Sequence, residues 1–179
     1  RFILLPRAYV PEGRIEVRAR RDRVAYDQWR DMGALVATPG DVTDYDWLER
    51  DMIADGEVYQ IVKAGIDPWN GTHLALRLQA EGLDIEFMRQ GYGTLTAPTK
   101  RFEALVLERR FDHGGHPVMR WCAQNVAVQT DPAGNIKPAK DKSTERIDIV
   151  VAAINALGVW MGQEVEAPSV YETRGLLVL

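Results

Sequence analysis

Short apolar runs alternate along this chain with amphipathic stretches, and turns rich in proline or glycine separate most of them. The runs predicted to be strands are 2–10, 34–38, 58–66, 83–88 and a short extended piece at 136–140. The stretches predicted to be helices are 26–32, one capped by Asp44, 72–81, 98–110, 118–128 and one that starts at Ser143. Strands that alternate with helices in this way predict an α/β domain with a mixed sheet flanked by helices on both faces.

The length and composition fit one such domain. The chain has 179 residues, of which 46% are hydrophobic and 27% are charged, as is usual for a globular protein. We predict a domain over 1–162 and a C-terminal tail over 163–179, where Glu, Pro and Ser follow Gly162. The apolar end of the tail, 176–179, would dock as a strand or belong to a junction. No apolar run approaches the roughly 20 residues of a membrane helix, so no membrane partner is expected.

The sequence lacks the motifs of several common enzyme classes. The sequence has no Gly-rich phosphate loop, no Gly-x-Ser-x-Gly elbow and no His-Glu-x-x-His pair. The single cysteine, Cys122, excludes an internal disulfide and lies in an apolar stretch, which favours a core position over a nucleophile. His113 and His116 lack the nearby ligands of a metal site.

The charge pattern leaves one question open. A formal net charge of −4 argues against a protein that coats nucleic acid, but it allows a local basic groove. Five arginines fall between residues 14 and 23, and we expect a solvated face or connecting segment there, with phosphate contact as the alternative.

Two acidic residues are the best candidates for chemistry. Asp67 follows an apolar strand, and ligands in α/β sheets bind beyond the carboxyl ends of strands. It is equally suited to cap the following helix. Asp148 lies among isoleucines in the first turns of an apolar helix, where a carboxylate needs a partner or a cation. A surface position favoured by the helix dipole is equally consistent with the sequence. Carboxylates of this kind hold Mg²⁺ or Mn²⁺, but two of them make an incomplete two-metal site.

The order of several short motifs carries a resemblance. They are Asp67-Pro68-Trp69-Asn70, Arg89-Gln90-Gly91-Tyr92, Ala97-Pro98-Thr99-Lys100, His113-Gly114-Gly115-His116-Pro117-Val118, Asn135-Ile136-Lys137-Pro138 and Lys142-Ser143-Thr144-Glu145-Arg146-Ile147-Asp148. In this order, across residues 1 to about 160, they resemble the nuclease domain of tailed-phage terminase large subunits.

The resemblance implies a ribonuclease H-like (resolvase/integrase-like) fold and a two-metal endonuclease that cuts concatemeric viral DNA during genome packaging. The family's second acid, at the end of a strand, matches Asp67, and its last acid, at the start of the closing helix, matches Asp148. Mg²⁺ or Mn²⁺ would be the cofactor. The expected partners are double-stranded DNA, an ATPase domain of the same polypeptide, the portal and the small terminase subunit, in the cytoplasm of the bacterial host.

A basic run before Asp148 is expected to contact the DNA backbone through Lys137, Lys140, Lys142 and Arg146. The family's first catalytic aspartate precedes the strand that matches 2–10, so we expect that acid upstream of Arg1 and an incomplete site in this chain. Two alternatives stay open. One is a non-catalytic docking module of the packaging motor with the same fold, and the other is an unrelated α/β enzyme that acts on a small phosphorylated molecule.

Overall fold

The structure is a computed structural model, and it describes residues 1–166. Its helices are α1 (Glu12–Asp22), α2 (Tyr26–Asp31), α3 (Tyr45–Val58), α4 (Pro68–Ala80), α5 (Tyr92–Leu107), α6 (Pro117–Asn125) and α7 (Asp148–Glu166). Its strands are β1 (Phe2–Ile3), β2 (Tyr9–Pro11), β3 (Val36–Thr38), β4 (Ala64–Ile66), β5 (Ile85–Phe87), β6 (Phe111–Asp112), β7 (Val128–Thr130) and β8 (Ile136–Pro138).

The strands form short pairs rather than long ladders. β1 pairs with β6, β2 with β3 and β4 with β5, all parallel, whereas β7 and β8 form an antiparallel pair. Parallel pairs connected through helices are the α/β arrangement that the sequence pattern predicts. In the β4–β5 pair, Ile66 lies opposite Phe87, so the residues that follow both strands meet at one edge.

Helix α7 forms the centre of the molecule. Its apolar face is buried, with Val150, Ile154 and Leu157 each 4% exposed or less. This face packs against α5, α6 and β4. Burial of each large aliphatic side chain stabilises the fold by roughly 1.5–3 kcal/mol, so α7 fixes the positions of the elements around it.

Strand β4 approaches α7 so closely that only glycine fits at one position. A Cβ on Gly65 would lie 2.7 Å from Cγ2 of Val159 and 3.3 Å from the carbonyl oxygen of Asn155. Further along the chain, Asp67 lines the same cleft as Val151. β4 therefore runs towards the N-terminal end of α7, where Asp148 lies.

Several predicted boundaries are wrong. The run 2–10 contains two strands separated by a connection, and the arginine-rich stretch is the helix α1, whose buried Ile15 anchors it. Residues 58–66 contain only the three-residue β4, because α3 continues to Val58. An apolar run limits where a strand can lie but does not fix its length, since tertiary contacts decide where pairing stops.

Other predicted helix limits also shift. α5 begins at Tyr92 and includes Pro98 in its interior, and α6 ends at Asn125, before β7. α7 begins at Asp148 rather than at Ser143. The Ser143 hydroxyl is instead used within the preceding loop: it donates to the Ala139 carbonyl at 2.7 Å and accepts from the Ala127 N–H at 3.1 Å.

The predicted tail starts inside α7, which includes residues 163–166. The rest of the tail, with the apolar segment 176–179, lies outside the described residues. No helix within residues 1–166 is long and apolar enough to cross a membrane.

Candidate metal and DNA-binding site

Asp67 is positioned by the junction of β4 and α4. Its Oδ1 accepts a hydrogen bond from the Trp69 N–H at 3.0 Å, and Pro68 occupies the first turn of the helix. Aspartate at the N-cap and proline at the next position are the residues that a helix start favours. Asp67 therefore does cap α4. The cap uses one carboxylate oxygen, and no ion pair to Asp67 occurs within residues 1–166.

The Asp67 carboxylate lies on a cleft with a volume of about 780 Å³. Residues of β8 and residues that follow β5 and β8 also line this cleft; the charged and amide groups among them are Arg89, Gln90, Lys137, Lys140 and Asp141. Trp69, which is 86% exposed, also lines it. Three cationic side chains against two carboxylates make the cleft suitable for an anionic ligand.

Asp148 is the first residue of α7, and its side chain is 59% exposed. The Nζ of Lys140 donates to its Oδ1 at 2.6 Å. A carboxylate in the first turn is stabilised by the helix dipole, and the ammonium adds a second favourable charge. The carboxylate of Asp148 therefore forms an ion pair with the Lys140 ammonium.

Lys140 is the residue that connects the two acids. It lines the Asp67 cleft and pairs with Asp148. Asp148 itself lines neighbouring depressions rather than the cleft. Within residues 1–166, no three His, Cys, Asp or Glu side chains are grouped closely enough to hold a metal ion.

The other basic residues of the predicted DNA contact lie around this centre. Lys137 donates to the Gln90 carbonyl at 3.2 Å and lies 5.2 Å from the centroid of the Tyr92 ring. Lys142 is exposed on the turn after β8, and Arg146 is exposed just before α7. Arg146 points towards α1 and lines a groove with Arg18.

The residues that the sequence sets aside have structural roles. Cys122 is 3% exposed, and burial raises the pKa of its thiol to about 11, as expected for a core cysteine. His116 caps α6, because its Nδ1 accepts from the Met119 N–H at 3.3 Å.

Comparisons with known proteins decide the family. The profile of the terminase large subunit endonuclease domain matches residues 2–164. The chain belongs to this family.

Individual relatives agree with the profile. The large terminase subunit of Enterobacteria phage HK97 is 32% identical over 165 residues, which cover 91% of this chain and 33% of that protein. Protein YmfN of Escherichia coli K12 is 32% identical over 171 residues, or 92% of this chain and 38% of that protein. The chain thus spans about a third of the length of these relatives.

The crystal structure of the HK97 large terminase superposes with a TM-score of 0.78 at 33% identity, over 84% of this chain and 32% of that one. This match confirms the ribonuclease H-like fold that the motifs imply. The terminase-type endonuclease domain of this chain therefore has the predicted fold class.

Sequence reasoning missed part of the cleft in this terminase domain. Arg89 and Gln90 belong to the motifs that carry the resemblance, and because they follow β5 they lie at the same edge as Asp67. The rule that ligands bind beyond strand ends would have found them. The approach of Arg18 to Arg146 has no signal in the sequence, because 128 positions separate the two residues.

Proposed function

We propose that this chain is the endonuclease module of a terminase large subunit and hydrolyses phosphodiester bonds of double-stranded viral DNA during genome packaging. One observation carries the proposal. Asp67 follows β4, which runs towards the end of α7 where Asp148 lies, and Lys140 both lines the Asp67 cleft and pairs with Asp148.

The donor chemistry of this end of α7 suits a hard divalent cation. The N-cap hydrogen bond fixes the Asp67 carboxylate through one oxygen, which leaves the other available. The Asp148 carboxylate accepts from the Lys140 ammonium through Oδ1, which leaves its second oxygen available. Asp67 and Asp148 would hold Mg²⁺ or Mn²⁺, and oxygen ligands are what both ions prefer.

Bound metal ions would supply activation of the attacking water and stabilisation of the leaving oxygen. The basic residues of this chain would hold the substrate. Lys137 and Arg89 would neutralise the phosphate in the cleft, and Lys142 and Arg146 would contact the adjoining backbone. Such contacts are independent of sequence and sensitive to salt.

Two carboxylates are fewer than a two-metal site uses, and the third is part of this proposal. We assign it to a strand upstream of Phe2, as the family resemblance implies. The ATPase domain of the same polypeptide, the portal and the small terminase subunit would be partners, in the host cytoplasm. Within residues 1–166, no three acids are grouped closely enough to hold a metal ion, which favours, as a second candidate, a non-catalytic docking module of the packaging motor.

Plasmid cleavage with Mg²⁺ or Mn²⁺ tests the proposal, with the polypeptide extended upstream of Phe2. Asp67→Asn keeps an N-cap acceptor, so the helix start should remain intact while the carboxylate is lost. We expect Asp67→Asn and Asp148→Asn to abolish cutting and to weaken Mn²⁺ binding, measured by electron paramagnetic resonance of the free ion, at unchanged melting temperature. Asp27→Asn, which makes the same change at an exposed position in α2 outside the lining of the cleft, is the control. Undiminished cutting by both Asn variants would favour the docking module.

A further inference from the structure

Helix α1 presents a row of arginines to a groove beside Asp148. Arg14, Arg18 and Arg21 follow one another at spacings of four and three residues, which places them on one face of the helix. They line a groove with a volume of about 340 Å³ together with Arg146, which arrives from the loop before α7. The acidic member of the lining is Asp41.

The charges in this groove are only partly balanced. Arg21 pairs with Asp22 at 2.5 Å. By contrast, Arg14, Arg18 and Arg146 form no ion pair within residues 1–166, and the Arg14 Nε donates only to the Asp41 carbonyl at 3.2 Å. Burial and the nearby Arg146 charge lower the pKa of Arg18. Repulsion between these guanidinium groups lowers the stability of the folded state. An anionic ligand that accepts hydrogen bonds from them would neutralise the charge and stabilise the fold.

The groove is continuous with the candidate site. Arg21 and Arg146 also line the depression that contains Lys140 and Asp148. From Arg14 to Arg21 the helix rises by roughly 10 Å, which is the distance that about three nucleotides of one strand cover along the duplex axis. A ligand that follows this row would therefore reach the Asp148 carboxylate directly.

We propose that Arg14, Arg18 and Arg21 of α1, together with Arg146, form a phosphate-binding surface that holds the DNA backbone beside the Asp148 end of the site. This inference rests on the proposed DNA-directed function. It assigns to α1 a role in which guanidinium groups bind consecutive phosphates of one strand. The duplex would extend from the cleft at Asp67, past Lys140, and along α1.

The test measures binding of a fluorescein-labelled duplex of arbitrary sequence by anisotropy, in EDTA so that no cutting occurs. Binding of the 179-residue chain is followed between about 50 and 200 mM salt. Replacement of two phosphate-contacting arginines, Arg14→Gln with Arg18→Gln, should reduce the slope of log K against log salt by about 2. The control is Arg101→Gln with Arg109→Gln, which removes the same charge from α5 and its C-terminal end and should leave the slope unchanged.

A second readout separates this role from a structural one. Arg18→Gln should not lower the melting temperature, since burial and Arg146 both disfavour the charge that it removes. An equal fall of the slope in the α5 control, or an unchanged slope in the α1 variant, overturns the proposal. So does an α1 variant that loses binding to a polyglutamate peptide but keeps duplex binding, which would identify an acidic protein as the partner.

The outcomes also distinguish this inference from the proposed function. If Lys137→Gln with Lys142→Gln lowers the slope and the α1 variant does not, the α1 surface is refuted and the DNA-directed function stands. If the α1 variant lowers the slope and the upstream-extended polypeptide does not cut plasmid with either metal, the nuclease activity is refuted and the surface stands. A 179-residue chain that binds no duplex at all refutes the α1 surface, and plasmid cleavage by the upstream-extended polypeptide then decides the nuclease function.

Discussion

Substitution of Gly65 by alanine should separate β4 from α7. The new Cβ would lie 2.7 Å from Cγ2 of Val159 and 3.0 Å from Cγ of Met88. Carbon atoms in ordinary contact are about 3.5–4.0 Å apart, so β4 has to move by roughly 1 Å. Overpacking of this kind costs about 1–3 kcal/mol. For a chain of this length we expect the melting temperature to fall by about 2–10 °C.

A double-mutant cycle identifies the cause. Val159→Ala removes the clashing methyl group, and alone it should destabilise by roughly 1–3 kcal/mol because Val159 is buried. With both changes present, the loss in the free energy of unfolding should be smaller than the sum by about 1 kcal/mol. Chemical denaturation of the four proteins gives this coupling energy.

Gly56→Ala is the matched control for Gly65→Ala. Gly56 lies in α3, where a Cβ would make only an ordinary contact, 3.8 Å from Cδ1 of Ile61. Alanine should stabilise this helix by roughly 0.5–1 kcal/mol. A Gly65→Ala protein as stable as the unsubstituted chain, or a cycle with no coupling, would refute the close packing of β4 on α7 that directs Asp67 towards Asp148.

Other predictions concern single contacts. Lys140→Gln breaks the pair with Asp148, but both side chains are more than half exposed, so the unfolding free energy should change by less than about 1 kcal/mol; a larger loss in urea denaturation contradicts a surface pair. Burial lowers the pKa of His116, so the folded state favours the neutral imidazole, whose Nδ1 accepts from the Met119 N–H and caps α6. The contribution of His116 to stability should therefore be complete above its unfolded pKa and be lost as the pH falls through its folded pKa. His116→Asn keeps a cap acceptor and should flatten this dependence in melting curves, and an unchanged pH profile contradicts the prediction. The Thr38 hydroxyl is buried without a partner in the described part of the chain, so Thr38→Val should raise the unfolding free energy by roughly 1 kcal/mol, and a lower melting temperature would show that the hydroxyl has a partner.

The predicted start of α4 at Thr72 is wrong, because the helix begins at Pro68 after the cap at Asp67. The local pattern of the sequence was enough for the fold class, because strand and helix signals alternate with turns. It was not enough for element limits. The arginine-rich α1 has few apolar residues, and its buried Ile15 packs against Val10, Tyr26 and Leu35, which lie outside the helix.

The candidate site divides in the same way. Asp67 and Asp148 could be selected from the sequence, because one follows an apolar strand and the other starts an apolar helix. The proximity of both acids to Lys140 could not be predicted from the sequence, and their function as metal ligands remains a prediction. A sequence pattern indicates which face of an element is buried but not which element covers it.

The sequence by itself therefore determined the α/β class and the choice of Asp67 and Asp148 as candidates. Only the tertiary structure decided that β4 runs against α7 towards Asp148, that Lys140 contacts that carboxylate, and that Arg18 meets Arg146. The physical reason is that capping and periodicity depend on residues a few positions apart. Contacts between distant residues depend on the packing of the whole core, in which the missing side chain of one glycine sets how closely a strand approaches a helix.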